Sequence, residues 1–130
     1  MTPGDLMVGD LVMLFDETPA RVDAIGNTEV YVYEKERGDW HVGYEHIKPI
    51  PLTDEILQKN GFDCSDPEVK QYHFTEGKER YHFSLRQMYN KKNEKDGYAF
   101  YAFNVLSLII NVSDLQHALR LCGIDKEITI

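Results

Sequence analysis

The stretch Ile47-Lys48-Pro49-Ile50-Pro51-Leu52-Thr53-Asp54-Glu55-Ile56-Leu57-Gln58-Lys59-Asn60-Gly61-Phe62 restricts the fold more than any other part of the chain. Two prolines one residue apart push Lys48 and Ile50 to extended geometry, and neither proline can donate to a ladder, so a strand ends here at a sheet edge. Thr53 then reads as an N-cap, with Asp54 and Glu55 in the first turn where the helix dipole favours negative charge. Leu52 and Leu57 stand at the spacing of a hydrophobic staple. Gly61 supplies the positive φ that stops the helix, and Phe62 folds back on the last turn. A helix of about two turns is marginal alone. Its cap contributes about 1 kcal/mol, whereas burying Ile56, Leu57 and Phe62 contributes roughly 1.5–3 kcal/mol each. Tertiary burial therefore decides, and the expectation is a rigid joint with these three side chains buried between two lobes that fold as one unit.

The expected fold class is α+β. Residues 1–52 form a small SH3-like β-barrel, residues 53–62 a capped connecting helix, and residues 63–130 an antiparallel sheet packed against a C-terminal helix. In the first lobe, Gly9-Asp10, Asp16-Glu17-Thr18-Pro19, Gly26-Asn27 and Arg37-Gly38-Asp39 punctuate five short strands. Ala20, Val22 and Ala24 alternate with Arg21 and Asp23, while Val30 and Val32 share one face and Tyr31 and Tyr33 the other. So small a sheet gains from closure, which removes its edges.

In the second lobe, Gln71-Tyr72-His73-Phe74 and Arg80-Tyr81-His82-Phe83 flank a hairpin turn. An even loop puts Tyr72, Phe74, Tyr81, Phe83 and Leu85 on one face. Centred on Gly77-Lys78 it sets His73 opposite His82; centred on Glu76-Gly77 it sets His73 opposite Arg80. Residues 91–97 are a polar tip and 98–103 a third strand. Leu106, Leu108, Ile110 and Val112 alternate in a fourth, expected to be central because Val105 and Ile109 make its other face apolar too. Ser113 with Gln116 fits a capping box, and Leu115, Ala118, Leu119 and Cys122 share a helix face that stops at Gly123. Residues 124–130 form a tail, with an edge strand through Ile128 and Ile130 as an option. The two helices share cap, first-turn acid and Gly stop without being a repeat.

Composition bears on function by exclusion. Apolar residues at 42% and charged residues at 28% suit a globular chain. The net charge of −8 is uneven: residues 1–52 hold ten acids against Arg21, Lys35, Arg37 and Lys48, and residues 53–130 hold twelve acids against ten bases. The acidic first lobe repels phosphate, which opposes direct nucleic-acid binding by residues 1–52 and suits a basic protein partner or a decoy imitating DNA charge. Cys64 and Cys122 lack any ligand or redox spacing and read as a reduced cytoplasmic pair. No signal peptide or membrane span is expected, since the most apolar run, 106–110, falls far short of about 20 residues.

No phosphate loop, dinucleotide fingerprint, nucleophile elbow or zincin motif occurs. No catalytic residue, cofactor or metal is expected; His73 and His82 are a weak metal pair without a third ligand. Asp39, His41, Glu45 and His46 imitate an acid/base cluster but read better as exposed turn residues. Thr53, Leu57, Gly61, Phe62, Ser113, Gln116 and Gly123 are expected to be structural. Tyr31, Tyr33, Trp40 and His41 form the candidate interaction surface.

The anchors Pro49-Ile50-Pro51-Leu52-Thr53-Asp54-Glu55-Ile56-Leu57-Gln58-Lys59-Asn60-Gly61-Phe62 and Leu115-Gln116-His117-Ala118-Leu119-Arg120-Leu121-Cys122-Gly123-Ile124 give the chain a resemblance, over nearly its whole length, to a family of small uncharacterised proteins of gut anaerobic bacteria and their prophages or other mobile elements. The resemblance implies a bacterial or phage cytoplasmic setting and carries no catalytic residues across. Three functions follow as expectations. The first is a non-enzymatic module binding a protein partner through Tyr31, Tyr33 and Trp40. The second is a nucleic-acid-associated role through Arg80, His82, Lys91, Lys92 and Lys95, or a DNA-mimicking decoy. The third is an enzyme with an unrecognised site. Oligomeric state is left open by the sequence.

Overall fold

Strand and helix signals in the chain translate into ten strands and two α-helices among the residues that the computed structural model describes, 1–66, 71–73, 83–102 and 105–130, with the backbone alone at 65, 66, 73, 83, 102, 105 and 106. The chain divides between Ile50 and Pro51 into two compact units. The boundary falls inside the proline pair, and the helix that follows belongs wholly to the second unit.

The first unit is an antiparallel sheet of β1(Leu11–Leu14), β2(Pro19–Ile25), β3(Glu29–Glu34), β4(Gly38–Gly43) and β5(Ile47–Pro49), ordered β4-β3-β2-β1-β5. No ladder joins β4 to β5, so hydrogen bonding leaves the sheet open rather than closing it as a barrel. Strand alternation builds the core: Val12, Leu14, Ala20, Val22, Val30, Val32 and Val42 all point inward and are buried. The alternation expected through Ala24 breaks at a bulge between Val22 and Ala24, which turns Ala24 outward. A 3-10 turn, Tyr44–His46, drops Tyr44 into the core, where its hydroxyl donates to the Gly26 carbonyl. At the β3–β4 turn the buried Glu34 carboxylate accepts from the backbone N–H groups of Glu36 and Arg37, and Gly38 takes φ +76° to re-enter the ladder.

The second unit comprises α1(Asp54–Lys59), β6(Asp63–Asp66), β7(Gln71–His73), β8(Phe83–Tyr89), β9(Lys95–Ala102), β10(Val105–Ile109) and α2(Val112–Leu121), with sheet order β10-β9-β8-β7-β6 and every pairing antiparallel. Thr53 caps α1, its Oγ1 accepting from Ile56 N at 3.3 Å. Gly61 N and Phe62 N close the other end on the carbonyls of Gln58 and Leu57. Leu57 and Phe62 are fully buried, whereas Ile56 is only half-buried.

The β7–β8 register has the expected parity, with Tyr72 facing Leu85 and both buried. Its centre differs from both expected positions: His73 faces Ser84, not His82 or Arg80, and those two residues, with Phe74 and Tyr81, lie outside the described residues. The strand expected to be central is an edge. β10 pairs only with β9 among the described residues, and Leu108 is 53% exposed. Just beyond its end, Pro51 bridges Asn111 and Leu52 N donates to the Ile110 carbonyl.

The cap of α2 is also corrected. Asn111 is the N-cap, and Asp114 at N3 accepts from Asn111 N at 2.9 Å and Ile110 N at 3.1 Å. Ser113 and Gln116 instead lie inside the helix and are buried. Gly123 (φ +73°) ends it as expected, with Gly123 N and Ile124 N bonding the carbonyls of Arg120 and Leu119. Cys122 at the C-cap is partly exposed rather than buried, and both cysteines are free. The tail forms no strand. Ile124 and Ile128 are buried, and the Asn60 carboxamide holds Thr129 by donating to its carbonyl at 2.7 Å and accepting from its N–H at 2.8 Å.

Candidate interaction face

Strand parity on β3 sends Glu29, Tyr31 and Tyr33 outward, and the neighbouring strands complete a solvent-facing surface. Across the ladders, Tyr33 faces Arg21 on β2 and Asp39 on β4, and Tyr31 faces His41. Tyr31 is 49% and Tyr33 39% exposed, which is high for large aromatic side chains. Arg21 spans the β2 side: its Nε donates to Asp23 at 2.9 Å and its guanidinium lies 5.0 Å from the Tyr33 ring centroid. That hydrogen bond, with the Asp23 charge behind it, pushes the Arg21 guanidinium above its ordinary value. His41 Nδ1 lies 2.7 Å from Glu29 Oε2, and its ring is tilted beside Tyr31 at 5.8 Å between centroids.

Trp40 does not join this face. It stands opposite Val32, on the inner side of the sheet, and packs partly buried against the core. Arg37 covers it, with Cζ 4.6 Å from the ring, while reaching Glu34 and Asp16 at 2.8 Å each. Its indole Nε1 is buried without a hydrogen-bond partner. The candidate surface is therefore split: Tyr31, Tyr33 and His41 lie together, and Trp40 lies behind them. Sequence reasoning omitted Glu29 and Arg21 from the face; the period of two that separated valines from tyrosines on β3 also points to Glu29.

Other groupings from the sequence fare differently. His41 pairs with Glu29 and His46 approaches its own neighbour Glu45 at 3.5 Å, so Asp39, His41, Glu45 and His46 do not converge as an acid/base set. Among the described residues, no three His, Cys, Asp or Glu side chains cluster as a metal site. Among the aromatic side chains of the second unit, Tyr72, Tyr98 and Phe100 are core and Tyr101 is exposed. Lys91 and Lys92 sit at the exposed tip between β8 and β9, while Lys95 lies 3.6 Å from Asp54.

The second unit contains a hollow bordered by Leu52, Asp54, Glu55, Gln87, Lys95 and Tyr98, with no histidine or cysteine among the described residues of its walls. Of its two carboxylates, Asp54 is engaged: the Tyr98 hydroxyl donates to Asp54 Oδ1 at 2.6 Å. Burial, then this bond, drives the Tyr98 phenol far above its ordinary value and keeps it neutral. No described helix is long and apolar enough to cross a membrane. Compared with protein-family models, with curated proteins and with solved structures, the chain finds no match in any of the three.

Proposed function

We propose that the chain is a non-enzymatic protein-interaction module of a bacterial prophage or mobile element, acting in the cytoplasm, and that its partner docks on the outer face of β2, β3 and β4. The observation that carries this is the adjacent pair Tyr31 and Tyr33, each left substantially in solvent on a rigid strand. Aromatic side chains on a regular strand supply contact area at low entropic cost, which is why they anchor interfaces. The strand order also supports an SH3-like reading of the first unit: β2, β3 and β4 form a meander, and β5 returns to β1 after a single 3-10 turn. The surplus of acids in this unit favours a basic partner.

The test is capture from bacterial lysate on the immobilised full chain, comparing wild type with Tyr31→Ala/Tyr33→Ala. Both side chains point away from the core, so the variant keeps its fold, which circular dichroism checks. The expected outcome is a saturable partner whose retention drops at least about tenfold in the variant, in line with two lost aromatic anchors. Capture of nothing by the wild type, or equal capture by the variant, overturns the proposal.

A further inference from the structure

Two guanidinium groups of the first unit occupy seats of one design. Arg21 stacks on Tyr33 while bonded to Asp23, and Arg37 stacks on Trp40 while bonded to Glu34 and Asp16. In each, the cation lies over an aromatic face while a carboxylate accepts from its N–H groups. This division suits arginine, which is delocalised, weakly hydrated and carries donors in a fixed plane.

A third ring and carboxylate stand together on the outer face with no arginine or lysine between them among the described residues. Tyr31 is half in solvent, and Glu29 follows the same strand face two residues away with 46% of its side chain exposed. His41 touches both, but its imidazole meets Tyr31 at a 48° tilt and leaves much of the ring uncovered. The unit has no spare cation for this position: Lys48 is bonded to Glu17 at 2.6 Å, and Lys35 lies in the turn beyond β3.

We infer that Tyr31 and Glu29 form a seat for an arginine side chain supplied by the partner on an extended segment crossing β3. The inference rests on the contact face proposed above and specifies the chemistry that the face selects. Ten acids against four bases in residues 1–50 add a field that draws such a segment in.

The probe is a short alanine–arginine repeat peptide, titrated into the full chain by NMR beside its lysine, citrulline and glutamate counterparts. The arginine peptide shifts the Tyr31 ring and the Glu29 and His41 amides saturably. Lysine binds more weakly, and citrulline, of the same shape without the charge, does not bind. Tyr31→Ala weakens binding by about 2- to 30-fold, the span of a cation–π contact from exposed to desolvated, and Glu29→Gln weakens it through loss of the charge-assisted hydrogen bond. His41→Arg places an internal guanidinium in the seat and abolishes binding. Equal binding of lysine and arginine, or binding indifferent to Tyr31→Ala and His41→Arg, overturns the inference. A lysate partner that is lost in Tyr31→Ala/Tyr33→Ala yet indifferent to His41→Arg also overturns the arginine seat while leaving the contact face intact.

Discussion

Glu34 shows how one side chain can govern a turn. Its carboxylate is buried and accepts from Glu36 N at 3.3 Å, Arg37 N at 2.9 Å and Arg37 Nε at 2.8 Å. The Arg37 bond is the chief reason that its carboxyl titrates below the ordinary range. A depressed value in the folded state means that the unfolded chain binds the proton first as pH falls. The stabilisation from Glu34 is thus complete above the ordinary glutamate value of about 4.3 and disappears as pH drops through the folded one. Urea midpoints of wild type and Glu34→Gln should differ most at neutral pH and converge as pH falls below the ordinary glutamate value. A constant gap across that range would show that the charge of Glu34 is not what holds the turn.

Among elements, the helix ends were the most legible part of the chain because their chemistry is local. Thr53, Gly61 and Gly123 do what their residue types require, whatever the rest of the molecule does. The start of α2 was misplaced by two residues: Ser113 with Gln116 matches a capping box in the sequence, but Asn111 with Asp114 caps the helix. Packing chose the latter by burying Ser113 and Gln116 within the helix. The rank of β10 was illegible for a different reason: apolar residues on both faces suggest a covered strand, yet strand order depends on partners distant in sequence. Residues 124–130 are a tail as expected, but the optional edge strand fails because a carboxamide holds the chain there instead. Asn60→Ala removes the bonds that fix Thr129 and should cost about 2 kcal/mol, two hydrogen bonds' worth. Hydrogen exchange at the Thr129 amide should rise in step, and unchanged exchange would mean that Ile128 alone secures the tail.

For the whole molecule, charge was readable and surface geometry was not. The acid surplus of the first unit follows from counting, but the separation of Trp40 from Tyr31 and Tyr33 depends on which side of β4 faces the core. Val42 carried that information: it shares parity with Trp40 and is buried, whereas His41 between them is exposed. The second unit, meanwhile, leaves apolar groups in solvent, with Leu121 at 90% exposure and Leu108 on the open β10 edge. Such groups, near an edge that pairs with no other strand among the described residues, promote sticking. Leu121→Lys should leave the melting temperature nearly unchanged and raise the concentration at which light scattering appears; no change in scattering would acquit this surface.

The clasp between Asn60 and Thr129 joins residues 69 positions apart, which bears on the order of events in time. Helix α1 cannot acquire this bond until nearly all of the second unit has been laid down, whereas the β2–β3–β4 meander of the first unit closes through neighbouring turns. Closure over long loops carries an entropic cost that slows folding, and a contact made at the chain's far end forms late. Refolding should therefore show a fast phase from the meander and a slower one from the second unit. Loosening the clasp should hasten unfolding far more than it delays folding.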